Sequence, residues 1–239
     1  MVSKPLRALN AHIQSLPKRT LDSPGDSPTT AEALHLLKAH QVTDLRRLLT
    51  HALLQRGLQR FVVEVVAPLN ERIGNAWIEG SIQIFQEHLY AEQIQQLLRQ
   101  AVGSLTQSDQ GPRILLTTLP GEQHKLGLLM AEACLAVEGA QCISLGVETP
   151  ALDIAQAARA HQVDIVGLSF SAAMPVNAAR SGLADLRQRL DRKVALWAGG
   201  SLWSQARKTM PGVTTLPSLT MMADALNDWR QEHPAQRKT

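Results

Sequence analysis

The chain has 239 residues, of which 44% are apolar, which is enough for a buried core in one large or two small domains. Its 24 basic and 21 acidic residues are spread along the sequence and leave a net charge of +3, which argues against a nucleic-acid-binding surface on this chain. The sequence shows no apolar run of about 20 residues and no signal-peptide core, and its two cysteines follow no CxxC pattern, so we expect a cytoplasmic protein with reduced thiols and no membrane contact.

The first part of the chain has helical spacing and almost no strand signal. Residues 1–29 end in a stretch rich in turn formers, and we expect a flexible leader there. Apolar residues then recur at helical intervals, which predicts four helices near residues 30–40, 42–56, 58–78 and 81–104. Gly57 and Gly80 are the expected stops, and Pro68 should kink the third helix. The simplest assembly is an antiparallel four-helix bundle over residues 30–105.

The second part alternates short β-rich runs with amphipathic stretches, which is typical of a parallel sheet covered by helices. It follows a polar linker at residues 106–111. The predicted strands are 114–119, 141–145, 165–169, 194–198 and 213–216, and the predicted helices are 125–138, 151–161, 175–190, 202–208 and 219–231. Five strands suggest a flavodoxin-like order. We therefore predict a doubly wound, Rossmann-like α/β domain at residues 112–232 and a frayed tail at 233–239.

The loop after the first predicted strand, residues 121–127, is the most informative segment. His124 follows the carboxyl end of that strand, and Glu122 can orient the imidazole through one ring nitrogen so that the other becomes a better metal donor. A dinucleotide site is excluded because GxGxxG is absent. A phospho-acceptor receiver is excluded because the third strand runs into serines and a phenylalanine instead of acidic residues. A metal-bearing cofactor is the leading hypothesis, and an ordinary surface histidine is the alternative.

The pattern Glu122-x-His124-x-x-Gly127 resembles the Asp-x-His-x-x-Gly motif of cobalamin-binding domains. This resemblance implies that His124 replaces the cofactor's own dimethylbenzimidazole as the lower axial ligand of cobalt. Glu122 would stand in for the aspartate that orients the histidine. The expected cofactor is therefore cobalamin, with His124 as the metal ligand.

The same family has a serine at the end of the third strand and small residues after the fourth. Ser169 and the pair Gly199-Gly200 occupy those positions here. The resemblance implies that they, together with Ser171, line the slot for the displaced nucleotide tail, where a side chain at the glycine pair would collide with the tail. At Ser171 the family often has leucine. For the glycine pair taken alone, a turn between strand and helix is an equally good explanation.

The helical part carries a second motif, Trp77-x9-Glu87-His88, with which residues 31–217 closely resemble the light-sensing MerR-type cobalamin regulators of the CarH type. The resemblance implies that Trp77 shields the upper face of the corrin and that Glu87 and His88 contact the 5′-deoxyadenosyl group. Taken alone, these residues would be core and solvated helix surface. Ile78 stands where well-studied photoreceptors have a histidine that captures cobalt after photolysis, and isoleucine cannot ligate a metal.

The CarH-type resemblance implies a non-enzymatic sensor that binds adenosylcobalamin, self-associates in darkness and has the corrin between its two domains. We expect no DNA-binding domain before the bundle, because only about 30 residues precede it. Output would pass through a homo-oligomer or a separate transcription regulator. Methylcobalamin is a possible second cofactor form, and a corrinoid methyl carrier is the alternative function, although the Gly-Lys-Asn ending common in those carriers is absent. A scaffold that has lost the cofactor is a third hypothesis.

Overall fold

The computed structural model describes residues 27–105, 111–205 and 210–234, and the chain divides into two compact units, Met1–Gln100 and Ala101–Thr239. Most of the predicted leader, linker and tail lie outside the described residues. Within the described ranges, no helix has both the length and the apolar character needed to cross a membrane.

The first unit is the helical bundle that the apolar spacing predicts. Its elements are α1 (Pro28–Lys38), α2 (Val42–Arg56), α3 (Leu58–Phe61), a π-helical turn (Val62–Val66), α4 (Ala67–Ile78) and α5 (Ile84–Gly103). The third predicted helix corresponds to α3, the π turn and α4, which follow one another without a break. Leu45, Leu49 and Phe61 are fully buried. The predicted four-helix bundle is confirmed.

The disturbance expected at Pro68 appears as a widened helical turn. Pro68 lies at the start of α4 and lacks the N–H that would donate to the carbonyl four residues earlier. In the π turn just before it, the Ala67 N–H donates to the Val62 carbonyl, five residues back. The buried Tyr90 hydroxyl donates to the Val66 carbonyl at 3.5 Å. A π turn therefore accommodates the proline within a continuous helix.

The second unit is a five-stranded parallel sheet covered by helices. Its strands are β1 (Arg113–Thr117), β2 (Gln141–Gly146), β3 (Ile165–Ser169), β4 (Ala195–Gly199) and β5 (Thr214–Leu216). Its longer helices are α6 (Lys125–Val137), α7 (Ala151–Ala160), α8 (Val176–Arg189) and α9 (Met222–Glu232). The strand order is β2-β1-β3-β4-β5 with every pair parallel, so the predicted flavodoxin-like sheet is confirmed.

The prediction of an α-helix at residues 202–208 is wrong for residues 202–205, which belong to a 3-10 helix. A 3-10 helix, Ser201–Gln205, follows β4, and residues 206–209 lie outside the described residues. The Trp203 N–H donates to the Gly200 carbonyl three residues earlier, at 3.1 Å. The Trp203 ring then packs edge-on against Phe170 with centroids 5.5 Å apart. The apolar pattern predicts an α-helix here, but the chain forms a 3-10 helix in which the Trp203 ring packs against Phe170.

The strand order determines which loops are neighbours. β1 pairs with β3 and β3 pairs with β4, with Ser169 opposite Gly199. Because all strands run in one direction, the segments that follow β1, β3 and β4 meet at one edge of the sheet. The order reverses between β1 and β3, which is where ligands bind in open α/β sheets. The sheet therefore brings the His124 loop beside Ser169 and the glycine pair.

Candidate cofactor site

The centre of the site is a histidine–carboxylate pair. Glu122 is only 1% exposed, in a turn where its own N–H donates to the Leu119 carbonyl at 3.1 Å. Its Oε1 accepts from the His124 backbone N–H at 3.0 Å and lies 2.6 Å from His124 Nδ1. The His124 side chain, at the first position before α6, is 63% exposed. A neutral imidazole that donates through Nδ1 carries its lone pair on Nε2, which makes Nε2 the metal-donor nitrogen.

The environment of Glu122 favours its anionic form. Burial by itself raises the pKa of this carboxyl group, because charge is costly to remove from water. Hydrogen bonds from the His124 ring, from the backbone N–H groups of Ser171 and His124, and from the Ser171 hydroxyl outweigh that effect and leave the pKa below its usual value. A carboxylate that remains charged is the stronger acceptor for Nδ1–H.

A supporting network joins this loop to the loop after β2. The Thr118 hydroxyl donates to the Glu122 carbonyl at 2.6 Å and accepts from the Glu148 N–H at 2.8 Å. The Glu148 carboxylate accepts from the Gly121 N–H and from Gln123 Nε2, both at 3.2 Å. Glu148 adopts a φ of 59°, an unusual conformation for a residue with a side chain. Glu148 therefore stabilises the loop that carries His124 through its hydrogen bonds with Gly121 and Gln123.

Thr118 and Glu148 belong to the site but were not predicted from the sequence. The available signal was that the apolar run of β1 ends in two threonines, Thr117 and Thr118, both 0% exposed. Buried hydroxyl groups require partners, so a hydrogen-bond network at this strand end could have been predicted. Its partner in the β2 loop, 30 residues away, could not.

The predicted slot residues lie at the same edge of the sheet. A Cβ added to Gly127 would lie 2.8 Å from Ser169 Oγ, so a side chain on this turn of α6 would require the serine hydroxyl group to move. Gly200 has a φ of 109°, and a Cβ there would collide with the Phe170 carbonyl. At Gly199 an added Cβ would meet only ordinary contacts, the nearest being the Leu216 carbonyl at 3.5 Å. The protein's own packing thus requires glycine at Gly200 and is tight at Gly127.

Ser171 contacts the histidine–carboxylate pair directly. Its backbone N–H donates to Glu122 Oε2 at 2.7 Å, and its Oγ lies 3.1 Å from His124 Nδ1. The structure therefore brings together Glu122, His124 and Ser171 in one cluster and Gly127 and Ser169 in a second contact.

The bundle carries the other predicted residues. Trp77 is half-buried near the end of α4, and Glu87 and His88 follow one another in the first turns of α5. Glu87 Oε2 and His88 Nε2 are 3.6 Å apart, and the His88 side chain is 70% exposed. Burial, together with the nearby negative charge of Glu87, raises the pKa of Tyr90. Ile78, directly after Trp77, is 42% exposed.

His124 is the metal donor that the site offers. Protein-only metal sites usually combine several side-chain ligands. Across the residues that the structure describes, no group of three or more histidine, cysteine or acidic side chains could hold a metal ion. His124 offers one imidazole donor with its second nitrogen fixed by a carboxylate, which suits axial ligation of a macrocycle-bound metal.

Comparisons with known proteins give the same ligand class for both units. Two family models match, each described as a B12 binding domain, one over residues 30–101 and the other over residues 112–215. The chain is 35% identical over 141 residues to the HTH-type transcriptional repressor CarH of Myxococcus xanthus. That match covers 58% of this chain and 46% of the relative, so the chain spans less than half the length of that protein.

A solved structure, the monomethylamine corrinoid protein of Methanosarcina barkeri, shares the fold. Its TM-score is 0.62 at 17% sequence identity, and the likeness covers 82% of this chain and 96% of that one. At this identity it shows the architecture alone, a helical domain followed by a Rossmann-like domain. With one B12 binding domain in each unit, the chain belongs to the cobalamin-binding domain proteins and resembles the CarH-type regulators.

Proposed function

We propose that this chain is a non-enzymatic cobalamin sensor in which His124 is the lower axial ligand of cobalt and adenosylcobalamin is the working cofactor. The observation that carries the proposal is the 2.6 Å contact between His124 Nδ1 and the buried Glu122 carboxylate at the carboxyl edge of the sheet. Bound cobalamin supplies a cobalt ion that accepts an axial nitrogen and, in its adenosyl form, a light-sensitive cobalt–carbon bond.

The second unit holds the lower side of the cofactor in this proposal. His124 presents Nε2, and Glu122 keeps the ring in the required tautomer and orientation. Ser169 and the pair Gly199-Gly200 line the slot for the nucleotide tail. The positions of these residues support the assignment, because Ser169 lies opposite Gly199 where β3 and β4 end, at the edge of the sheet that carries His124.

The bundle supplies the upper-face residues. Trp77 shields the reactive bond from water with a large apolar ring, and Glu87 and His88 contact the adenosyl group. The half-burial of Trp77 and Glu87 and the exposure of His88 are compatible with contact to a ligand. Since Ile78 has no donor atom, any ligand that replaces the adenosyl group after illumination is water or another side chain such as His88.

The output in this proposal is a change in self-association or in binding to a separate transcription regulator. The 35% identity to the CarH repressor over 141 residues supports a regulatory role. A corrinoid methyl carrier is the competing function, since a corrinoid protein shares the fold. The two functions differ in what they respond to: a sensor responds to light, and a carrier responds to methyl donors.

The nitrogen ligand can be identified by electron paramagnetic resonance of the cob(II)alamin-loaded protein. Protein labelled with ¹⁵N-histidine is loaded with unlabelled cobalamin. A ligand from the protein splits the signal into doublets, whereas the cofactor's own ¹⁴N base gives triplets. We expect doublets in the native protein and their loss in His124→Ala. The matched control is His161→Ala, which removes an exposed imidazole from the same unit. Triplets in the native protein would refute the ligand assignment.

Light response is tested on the adenosylcobalamin-loaded chain kept in darkness. Green light should change the absorption spectrum and the size measured by light scattering, and Trp77→Ala should accelerate the loss of the adenosyl group. If green light changes neither the absorption spectrum nor the size, and the protein takes part in methyl transfer with a corrinoid-dependent methyltransferase, the carrier function would be favoured. Failure to retain any cobalamin would refute both functions.

A further inference from the structure

Ser171 makes polar contacts with both residues of the histidine–carboxylate pair. It lies at the start of the segment after β3, and its backbone N–H donates to Glu122 Oε2 at 2.7 Å. Its hydroxyl oxygen lies 3.1 Å from His124 Nδ1 and accepts from the Ala173 N–H at 3.3 Å. Ser171, which is 47 residues away from His124 in sequence, thus contacts both members of the pair.

The hydrogen atoms in this cluster can be assigned by counting donors and acceptors. A serine hydroxyl has one O–H donor and two acceptor lone pairs. One lone pair accepts from Ala173, and the hydroxyl contributes to the hydrogen bonding that stabilises the charged Glu122 carboxylate. The remaining lone pair faces His124 Nδ1. The Glu122 carboxylate, the Ser171 hydroxyl group and the His124 ring all have hydrogen-bond partners only if Nδ1 carries a hydrogen. This hydrogen is then shared between Glu122 Oε1 and Ser171 Oγ.

The opposite tautomer would break this arrangement. With the hydrogen on Nε2, the Nδ1 lone pair would face the Glu122 oxygen at 2.6 Å, and the serine would have to turn its O–H away from the carboxylate. A buried carboxylate that loses its donors is costly. Glu122 and Ser171 therefore both favour the Nδ1–H tautomer of His124. Glu122 does so through its negative charge, and Ser171 does so through its neutral hydroxyl group.

We propose that Ser171 is a positioning residue for His124: its hydroxyl group, together with Glu122, holds the imidazole as the Nδ1–H tautomer and fixes its orientation so that Nε2 is the donor nitrogen. This differs from lining the nucleotide slot, the role that the resemblance implies for this position. The inference rests on the proposed function only in naming cobalt as the acceptor of the Nε2 lone pair.

The tautomer can be measured without cobalamin by ¹⁵N NMR of histidine-labelled protein, with the His124 signals assigned by comparison with His124→Ala. Spectra are recorded well above the pH at which imidazole titrates. In the native chain the charge of Glu122 should hold nearly all of the population as Nδ1–H, so Ser171 is tested in the Glu122→Gln background. Adding Ser171→Ala there should raise the minor tautomer about twofold to tenfold relative to Nδ1–H, the ratio that one neutral hydrogen bond provides.

Two further variants separate positioning from structural damage. Ser171→Thr retains the hydroxyl group and should restore the tautomer ratio, whereas Ser201→Ala removes an exposed hydroxyl group after β4 and should leave it unchanged. In cob(II)alamin-loaded protein with Glu122 intact, Ser171→Ala should lower the fraction of molecules with ¹⁵N doublets. An unchanged tautomer ratio in the Glu122→Gln, Ser171→Ala protein would overturn the inference. A changed ratio in a chain that shows only ¹⁴N triplets would uphold it and refute the proposed cobalt ligand.

Discussion

Replacing Glu122 with glutamine should weaken the second unit and remove part of its pH dependence. The carboxylate accepts from the backbone N–H groups of Ser171 and His124, at 2.7 and 3.0 Å, and from the His124 ring. Glutamine retains the shape but presents an amide NH₂ where one acceptor oxygen was. At least one N–H group would then face another N–H group in a site where Glu122 is 1% exposed.

The expected loss of unfolding free energy is about 2–4 kcal/mol. Hydrogen bonds to a charged acceptor contribute about 1.5–3 kcal/mol each, and an unsatisfied buried donor costs about 1–3 kcal/mol. The bond to the His124 ring adds little to this sum, because that side chain is 63% exposed and can turn towards water. The loop can also relax, so the separate contributions do not add fully.

The pH dependence follows from the lowered pKa of Glu122 in the folded chain. The stabilisation is fully present above the ordinary glutamate pKa of about 4.3, and it is lost as the pH falls through the lower folded-state value. Glutamine does not titrate. The difference in stability between the native and variant proteins should therefore be largest near neutral pH and should shrink below about pH 4.

The assay is urea unfolding followed by tryptophan fluorescence in a Trp77→Phe background. The three remaining tryptophans, Trp197, Trp203 and Trp229, all belong to the second unit and report its unfolding alone. Asp153→Asn, which neutralises an exposed carboxylate in the first turn of α7, is the matched control and should have little effect. A Glu122→Gln protein as stable as the control, with the same pH dependence as the native chain, would refute the reasoning.

Three further outcomes are expected from the packing of the two units. Gly127→Ala should destabilise the second unit in urea although alanine favours helix by about 1 kcal/mol, because its Cβ would lie 2.8 Å from Ser169 Oγ, and adding Ser169→Ala should recover the loss. Burial raises the pKa of Cys134 to about 11 and that of Cys142 to about 12, so both thiols should resist a thiol-exchange reagent at about pH 8 until urea is added. Gln86→Ala should cost the bundle about 1–3 kcal/mol in thermal unfolding, since this buried side chain donates to the Leu37 carbonyl and accepts from the Gln83 N–H.

Each of these outcomes has its own check. Gly103→Ala, where an added Cβ would meet no atom within 4 Å, is the control for Gly127→Ala and should not destabilise. Additive effects of the Gly127 and Ser169 substitutions would show that the two groups do not collide. Fast thiol reaction in the native protein would contradict the raised pKa values of the two thiols. An unchanged midpoint for Gln86→Ala would show that water replaces its two hydrogen bonds.

The sequence by itself determined the division into helical and α/β parts and indicated a parallel sheet of the flavodoxin-like kind. These follow from local periodicity, since helices repeat every 3.6 residues and strands every two, and from the rule that alternating strands and helices build a parallel sheet. It also indicated Glu122 and His124 as a pair, because their contact joins residues only two positions apart at a strand end. A short spacing of this kind can be read without any knowledge of tertiary structure.

Only the tertiary structure decided how that pair is held. Thr118 and Glu148 meet across 30 residues of sequence, and Ser171 reaches Glu122 across 49. Both contacts exist because β1 lies between β2 and β3, so the segments after all three strands meet at one edge of the sheet. The tertiary structure also brings Gly127 close to Ser169, and the chain after β4 forms a 3-10 helix that contains Trp203. Periodicity and motif spacing describe a residue's own segment, whereas hydrogen bonds and steric contacts between segments depend on the three-dimensional arrangement of the strands.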